Sequence, residues 1–153
     1  MQRIADLPEP VQQGFLRLPL PEFESTPWRT PPPLNESRIA IISTAGLHRH
    51  EDRTFAGGAT DYRILPGDLD YADLAMSHVS VNFDRSGFQQ DVDVVFPLQR
   101  LRELEQAGEI ASVAAWHYSF MGATDPTGMV DGALDVARLL QQDGVDGAIL
   151  IPV

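Results

Sequence analysis

The sequence lacks cysteine, and this absence limits the chemistry that its 153 residues can perform. Disulfides, thiolate nucleophiles and cysteine-based metal sites are excluded within the chain. No apolar run approaches the roughly 18 residues that a membrane-spanning helix requires. The first residues carry Asp6 and Glu9 without a continuous apolar stretch, which does not resemble a signal peptide. We therefore expect a cytoplasmic protein that is not inserted in a membrane.

Lysine is also absent, so that arginine supplies all 11 basic residues. Against 22 acidic residues, the formal net charge is -11. Such a domain is repelled by phosphate backbones and by anionic lipid surfaces, which disfavours nucleic-acid and membrane partners. Solubility is the simplest consequence of this charge. The length and the hydrophobic content of 43% suit one globular domain with a real core.

Residues 1–36 form a region of different composition from the rest. Apolar spacing from Leu7 to Leu18 predicts a short helix, and a proline-rich stretch follows it. Proline fixes φ and removes an amide donor, so this stretch cannot be a helix interior or a central strand. We predict either an extended arm, anchored by Phe23 and Trp28, or a flexible leader. Residues 37–153 are then a separate α/β domain.

Regular elements are well marked in that domain. Continuous apolar runs predict buried strands, and apolar residues at helical spacing predict helices. Residues 45–60 are polar and are expected to form a loop, whereas residues 74–81 could be a strand or a helix end. The predicted strands are 38–44, 62–65, 110–119 and 145–153, and the predicted helices are 98–107 and 129–142.

The order of strands and helices over residues 96–153 is typical of parallel βαβ units. The sequence therefore predicts a three-layer α/β domain with a mainly parallel sheet, Rossmann-like or flavodoxin-like. Strand 145–153 normally precedes a loop and a covering helix, so one of its faces is expected to be bare or covered by the N-terminal arm. Catalytic groups in such sheets gather at the carboxyl ends of the strands.

Two short segments could carry chemistry by residue type alone. The amides of Thr44, Ala45 and Gly46 could hold an anion or a substrate carboxylate, although a plain turn explains them as well. His48 and His50 could bind zinc or iron, together with His78, but a solvated polar loop is the simpler interpretation. No G-x-S-x-G motif is present, so a serine hydrolase is unsupported.

Several segments together resemble the selenoprotein B family of the glycine, sarcosine, betaine and D-proline reductases. They are RIAIISTAGLHRHED, SHVSVNFDRSGFQQDVDVVFPLQRLRELEQAGEI, HYSFMG and DGVDGAILIPV. The resemblance covers roughly residues 36–153, and its most specific parts are Asp91 to Gly108 and the turn Ser119 to Gly122. The proline-rich leader resembles the short bacterial members.

This resemblance implies a reductase in which the strand at 145–153 leads into a redox motif: selenocysteine or cysteine, two residues, then cysteine. We expect selenocysteine directly after Val153, its UGA codon having been read as a stop; a frameshift or a degenerate member are the alternatives. A selenolate would attack a small amine or amino-acid-like substrate, and a thiol would resolve the product. No catalytic residue is then expected within these 153 residues.

The family pattern also places a histidine and a carboxylate at His78 and Asp84, which could orient the substrate or lower the pKa of the selenolate. A structural histidine is equally compatible with the sequence at His78. Ser119 and Gly122 could line the site with Thr44. Expected partners are a small-molecule substrate, a thiol or protein electron donor, and a reductase complex or a second copy. The competing hypotheses are a non-catalytic binding or assembly domain and a metal-dependent enzyme using the three histidines named above.

Overall fold

The computed structural model describes residues 4–17, 26, 29–80 and 85–153. Four α-helices occur there: α1 (Glu9–Leu16), α2 (Ser86–Gln90), α3 (Leu98–Gln106) and α4 (Val130–Gln142). The strands are β1 (Arg38–Ser43), β2 (Leu47–Arg49), β3 (Arg63–Pro66), β4 (Leu74–Met76), β5 (Ser112–Val113), β6 (Trp116–Ser119) and β7 (Gly147–Ile151). None of the described helices is long and apolar enough to span a membrane.

Strand β1 is the centre of the main sheet. On one side β7 runs parallel to it, from Ile39↔Gly147 to Ser43↔Ile151. On the other side β5 pairs with its start and β6 with its end, both parallel, while β3 joins β6 antiparallel. The prediction of a mainly parallel sheet in a mixed α/β fold is therefore confirmed.

Alternate residues of β1 enter two separate hydrophobic clusters. Ile39 and Ile41 pack in a cluster that includes Leu98 and Leu101 of α3. Ile42 packs in a second cluster with Val136 of α4. Because successive side chains of a strand point to opposite faces, α3 and α4 contribute to the cover of opposite faces of the sheet. This double cover explains why β1 is a continuous apolar run.

The predicted strand 110–119 is wrong in its continuity, because it is divided into β5 and β6. The carboxylate of Asp143, at the end of α4, accepts hydrogen bonds from the Ala115 amide at 2.8 Å and the Trp116 amide at 3.3 Å. Beside the break, Nδ1 of His117 accepts the Ile41 amide at 2.9 Å. Side chains thus replace ladder hydrogen bonds where the strand bends.

The predicted loop 45–60 is also wrong in part, since it contains β2. This strand pairs antiparallel with β4, with His48 opposite Ala75. The pairing settles residues 74–76 as a strand. A three-residue strand has too few positions to show a period of two, so neither strand was marked by alternation in the sequence.

Both long helices are confirmed within one or two residues. Each ends before a glycine with positive φ: Gly108 at 72° after α3 and Gly144 at 67° after α4. This conformation is the usual one that follows a helix C-terminus. The short N-terminal helix is confirmed as α1, whereas the proposed anchors Phe23 and Trp28 lie outside the described residues.

Candidate functional site

The carboxyl ends of β1, β6 and β7 meet at one edge of the sheet. Just past β1, the Thr44 amide donates to the Ile151 carbonyl of β7 at 3.0 Å. Towards β6, the Phe120 amide donates to Ser43 at 2.9 Å, and the Gly122 amide donates to the Thr44 carbonyl at 2.8 Å. This edge is where open parallel sheets bind ligands and carry catalytic groups.

The hydroxyl of Thr44 binds both polar main-chain groups of Val153. Its Oγ1 accepts the Val153 amide at 2.8 Å and lies 3.3 Å from the Val153 carbonyl oxygen, to which it donates. One side chain just past β1 therefore fixes the main chain that follows β7. The threonine had been predicted as a substrate-binding residue, and that role stays a prediction.

Gly122 makes room for the same carbonyl group. A Cβ atom at this position would collide with the Val153 oxygen and would lie 2.9 Å from both the carbonyl oxygen and Oγ1 of Thr44. These neighbours are mostly main-chain atoms, which cannot move aside cheaply. The turn after β6 consequently requires glycine here, whatever its proposed role in lining a substrate site.

Gly46 brings a second segment to the site. It has φ of 65°, and a Cβ there would lie 3.1 Å from both the Cα and the N of His78. Its amide donates to Phe120 at 2.9 Å, and its carbonyl accepts from Ser77 at 3.0 Å. The close approach between the β1–β2 turn and the segment after β4 places His78 beside the strand ends.

His78 is a buried histidine, with 3% of its surface exposed. Its Nδ1 accepts the Ser80 amide at 3.2 Å, so the neutral ring carries its proton on Nε2. Burial lowers the pKa of His78 and the positive charge of Arg85 lowers it further, whereas the main chain of Val153 acts to raise it. At neutral pH the site therefore holds a neutral imidazole next to the end of β7.

Arg85 was not identified by the sequence reasoning. Its Nη2 donates to the carbonyl oxygens of His78 and Ser80, each at 2.7 Å. It also lines a cavity of about 340 Å³ between the β2–β4 pair and α2, together with Leu47, Met76 and Phe88. Its place in the site comes from the two carbonyl groups that it binds, so no sequence signal identified it.

The other predicted residues have structural contacts or lie elsewhere. Ala45 is fully buried and forms a bridge with Met121. Ser119 is buried, and its Oγ accepts the Leu47 amide at 2.8 Å. Asp84 lies outside the described residues.

The histidines of the metal hypothesis do not gather into a site. Nδ1 of His48 lies 2.7 Å from the Arg49 carbonyl oxygen, which places a proton on that nitrogen. His50 is exposed, whereas His78 is buried at the strand ends. Over the described parts of the chain, no group of three or more histidine, aspartate or glutamate side chains is arranged to bind a metal ion.

The architecture thus defines an α/β domain with a candidate site at the carboxyl ends of its parallel strands. The family model of glycine/sarcosine/betaine reductase selenoprotein B (GRDB) matches residues 13–152. The chain therefore belongs to the selenoprotein B family, as its sequence segments had indicated.

Curated relatives agree with this assignment. D-proline reductase subunit gamma of Acetoanaerobium sticklandii is 29% identical over 79% of the chain and 54% of that subunit. Sarcosine reductase complex component B subunit beta of Peptoclostridium acidaminophilum is 28% identical over 86% of the chain and 32% of the relative. Glycine reductase complex component B subunit gamma of Symbiobacterium thermophilum is 29% identical over 86% of the chain and 32% of the relative.

The chain spans about half the length of the first of these relatives and about a third of the others. All three are named as subunits of reductases or as components of reductase complexes. No solved structure matches the chain significantly.

Proposed function

We propose that this chain is part of a reductase component that cleaves a small amine or amino-acid-like substrate. In this proposal the reactive group is a selenocysteine or cysteine directly after Val153, followed by two residues and then a second cysteine. Membership of the selenoprotein B family supports the class of reaction. The observation that carries the position is that Thr44, just past β1, binds the Val153 main chain while the neighbouring Gly46 lies against the buried His78.

The proposed reaction has three steps. The selenolate forms a C–Se bond as the C–N bond of the substrate breaks, and the amine leaves with a proton. A thiolate then attacks selenium, forming an Se–S bond, and the electron pair of the C–Se bond returns to carbon, which takes a proton from water. An external dithiol reduces the Se–S bond and is oxidised to a disulfide.

His78 fits an assisting role in this scheme. Its Nε2–H can donate a hydrogen bond to a selenolate at the end of β7, which would favour the anion and lower its pKa. Arg85, which donates to the His78 carbonyl, also lines the cavity of about 340 Å³, and this cavity has room for a small substrate. Assistance by Asp84 stays part of the proposal, together with substrate binding at Thr44, Ala45, Gly46, Ser119 and Gly122.

The decisive experiment is to read the gene beyond the Val153 codon and to assay the encoded protein. We expect a UGA or cysteine codon, two further codons and then a cysteine codon in frame. The full product should reductively cleave sarcosine, betaine or D-proline with dithiothreitol, and the 153 residues alone should not. Activity of the 153-residue chain, or a UAA or UAG codon directly after Val153, would refute the proposal.

A second candidate, a binding or assembly domain, is favoured by an apolar surface beside β7. The glycine-bearing flank of α4 approaches Thr60 and Tyr62, on the β3 side of the sheet. On the side of α4 away from Gly132, the apolar side chains Val130 and Leu134 are 54% and 53% exposed. Leu150 of β7, on the same face as its partner Ile42, is 69% exposed. Surfaces of this kind mark protein contacts.

The remaining expectations belong to the same proposal. We infer a Rossmann-like or flavodoxin-like arrangement that further elements would complete, a cytoplasmic location, and work within a reductase complex or a homo-oligomer. The names of the relatives support the complex. Co-purification of the tagged full-length protein from its native host tests it: recovery of the protein as a lone monomer would count against assembly.

A further inference from the structure

We propose that Thr44 is a positioning residue, whose hydroxyl holds the main chain of Val153 so that the next residue is presented beside His78. This inference rests on the proposed function, because it concerns the residue that would react. It differs from the substrate-binding role predicted for Thr44, since here the hydroxyl contacts the protein's own main chain.

The hydrogen-bond geometry is the first support. A single hydroxyl can accept one hydrogen bond and donate another, and Oγ1 of Thr44 uses both capacities on Val153, at 2.8 Å and 3.3 Å. Both the amide and the carbonyl of Val153 are thereby fixed relative to β1. In a sheet, one hydrogen bond to a neighbouring strand would fix either the amide or the carbonyl of Val153. Here a single oxygen atom binds both groups.

The rigidity of Thr44 itself is the second support. Its amide donates to β7 at 3.0 Å and its carbonyl accepts from the turn after β6 at 2.8 Å. The β-branched side chain has few accessible χ1 rotamers, so the hydroxyl direction is also restricted. The hydroxyl is therefore held by the three central strands rather than by a mobile loop.

Gly122 is the third and independent support. Its missing Cβ leaves the space that the Val153 carbonyl group occupies, as the collision of a built Cβ with this oxygen shows. Two residues that follow different strands thus act on one carbonyl group: Thr44 binds it, and Gly122 leaves space for it. His78 lies against Gly46, two residues after Thr44.

The consequence for the proposed reaction is geometric. Reaction at a carbon centre requires the attacking atom to be held near the substrate in a narrow range of directions. With the amide and carbonyl of Val153 fixed, the following residue starts from a defined point and direction. A selenolate or thiolate there would remain within reach of the Nε2–H of His78.

The first test measures how strongly Thr44 protects the Val153 amide in the 153-residue chain. Thr44→Val keeps the shape of the side chain and removes the hydroxyl, whereas Thr44→Ser keeps the hydroxyl. By amide hydrogen exchange, we expect Thr44→Val to accelerate exchange of the Val153 amide about tenfold. Thr44→Ser should restore most of the protection, and Thr54→Val, at an exposed threonine, should match the unmodified chain.

The second test measures presentation of the next residue. Because the chain has no cysteine, one cysteine added after Val153 is its only thiol. The rate of its alkylation by iodoacetamide across pH reports the thiolate fraction. We expect Thr44→Val to move this profile towards that of a free cysteine, and Thr44→Ser to leave it in place.

The outcomes separate this inference from the proposed function. If Thr44→Val leaves either the Val153 exchange rate or the thiol profile unchanged, the positioning role is wrong. Should both change while the full-length protein shows no reductase activity, the positioning role stands and the proposed reaction is wrong. Gly122→Ala provides a second variant: it keeps the Thr44 hydroxyl, yet it should also accelerate Val153 exchange, because its Cβ would occupy the space of the Val153 oxygen.

Discussion

Lowering the pH should destabilise this protein through one buried histidine, His117. Its imidazole is 0% exposed. Nδ1 accepts the Ile41 amide at 2.9 Å, and the ring meets Phe96 edge-on at 5.6 Å between ring centroids. Nε2 has no hydrogen-bond partner among the described residues. Protonation would therefore break the bond to β1 and bury a charge.

Burial lowers the pKa of His117 from its ordinary 6.5 to about 4, while the charge of Asp143 opposes this change. Between these two values the unfolded chain binds a proton that the folded chain excludes, so stability falls as the pH decreases. The full contribution of His117 to stability is present above pH 6.5. No further stability is lost through this residue below about pH 4, the pKa of His117 in the folded chain. At about 1.4 kcal/mol per pKa unit, the loss reaches roughly 2 kcal/mol at pH 5.

Urea unfolding at pH 7 and pH 5 measures this loss. His117→Gln keeps an acceptor for the Ile41 amide but does not titrate, so it should lose most of the decrease between the two pH values. A smaller decrease should remain, because burial also lowers the pKa of His78. His50→Gln, at an exposed position, is the matched control. An equal decrease in His117→Gln and in the unmodified protein would refute the reasoning.

Two other substitutions test the hydrogen bonds that fix the helix ends. The Tyr71 hydroxyl oxygen accepts the Leu98 amide at 2.9 Å and the Gln99 amide at 3.1 Å at the start of α3, so Tyr71→Phe should lower the free energy of unfolding by about 1–3 kcal/mol in urea. An unchanged midpoint would contradict this. Asp143→Ala should cost about 3 kcal/mol by thermal or urea unfolding, because it leaves the amides of the β5–β6 break and the Arg38 guanidinium, 2.6 Å away, without their acceptor. Asp146→Ala is the control. Asp146 is more exposed and accepts one amide of β1, so this substitution should lower the free energy of unfolding by less.

The fold could be predicted from sequence where an element is long enough to repeat its pattern. Strand β1 and helices α3 and α4 were placed within one or two residues, since apolar runs and helical spacing depend on local sequence. The break at Ala115 could not be found in this way. It depends on the carboxylate of Asp143, which lies 28 residues further along the chain.

The candidate site was predicted in its position but not in its contacts. The end of β1 and His78 were both identified, and the structure brings them together. However, the contact of Thr44 with Val153 joins residues 109 apart in sequence, and no local pattern encodes such a distance. Arg85 is missed for the same reason, because its relevance comes from the carbonyl groups that it binds.

The arrangement of the central sheet also has a consequence for synthesis and folding. Strand β1 begins at residue 38, yet its neighbours on the two sides begin at residues 112 and 147. On the ribosome this apolar strand would emerge long before any of its partners, and closing such long loops is slow. An exposed strand edge invites aggregation in the meantime. We therefore expect the yield of folded protein to depend on chaperones that shield residues 38–43 until α4 and β7 have been made.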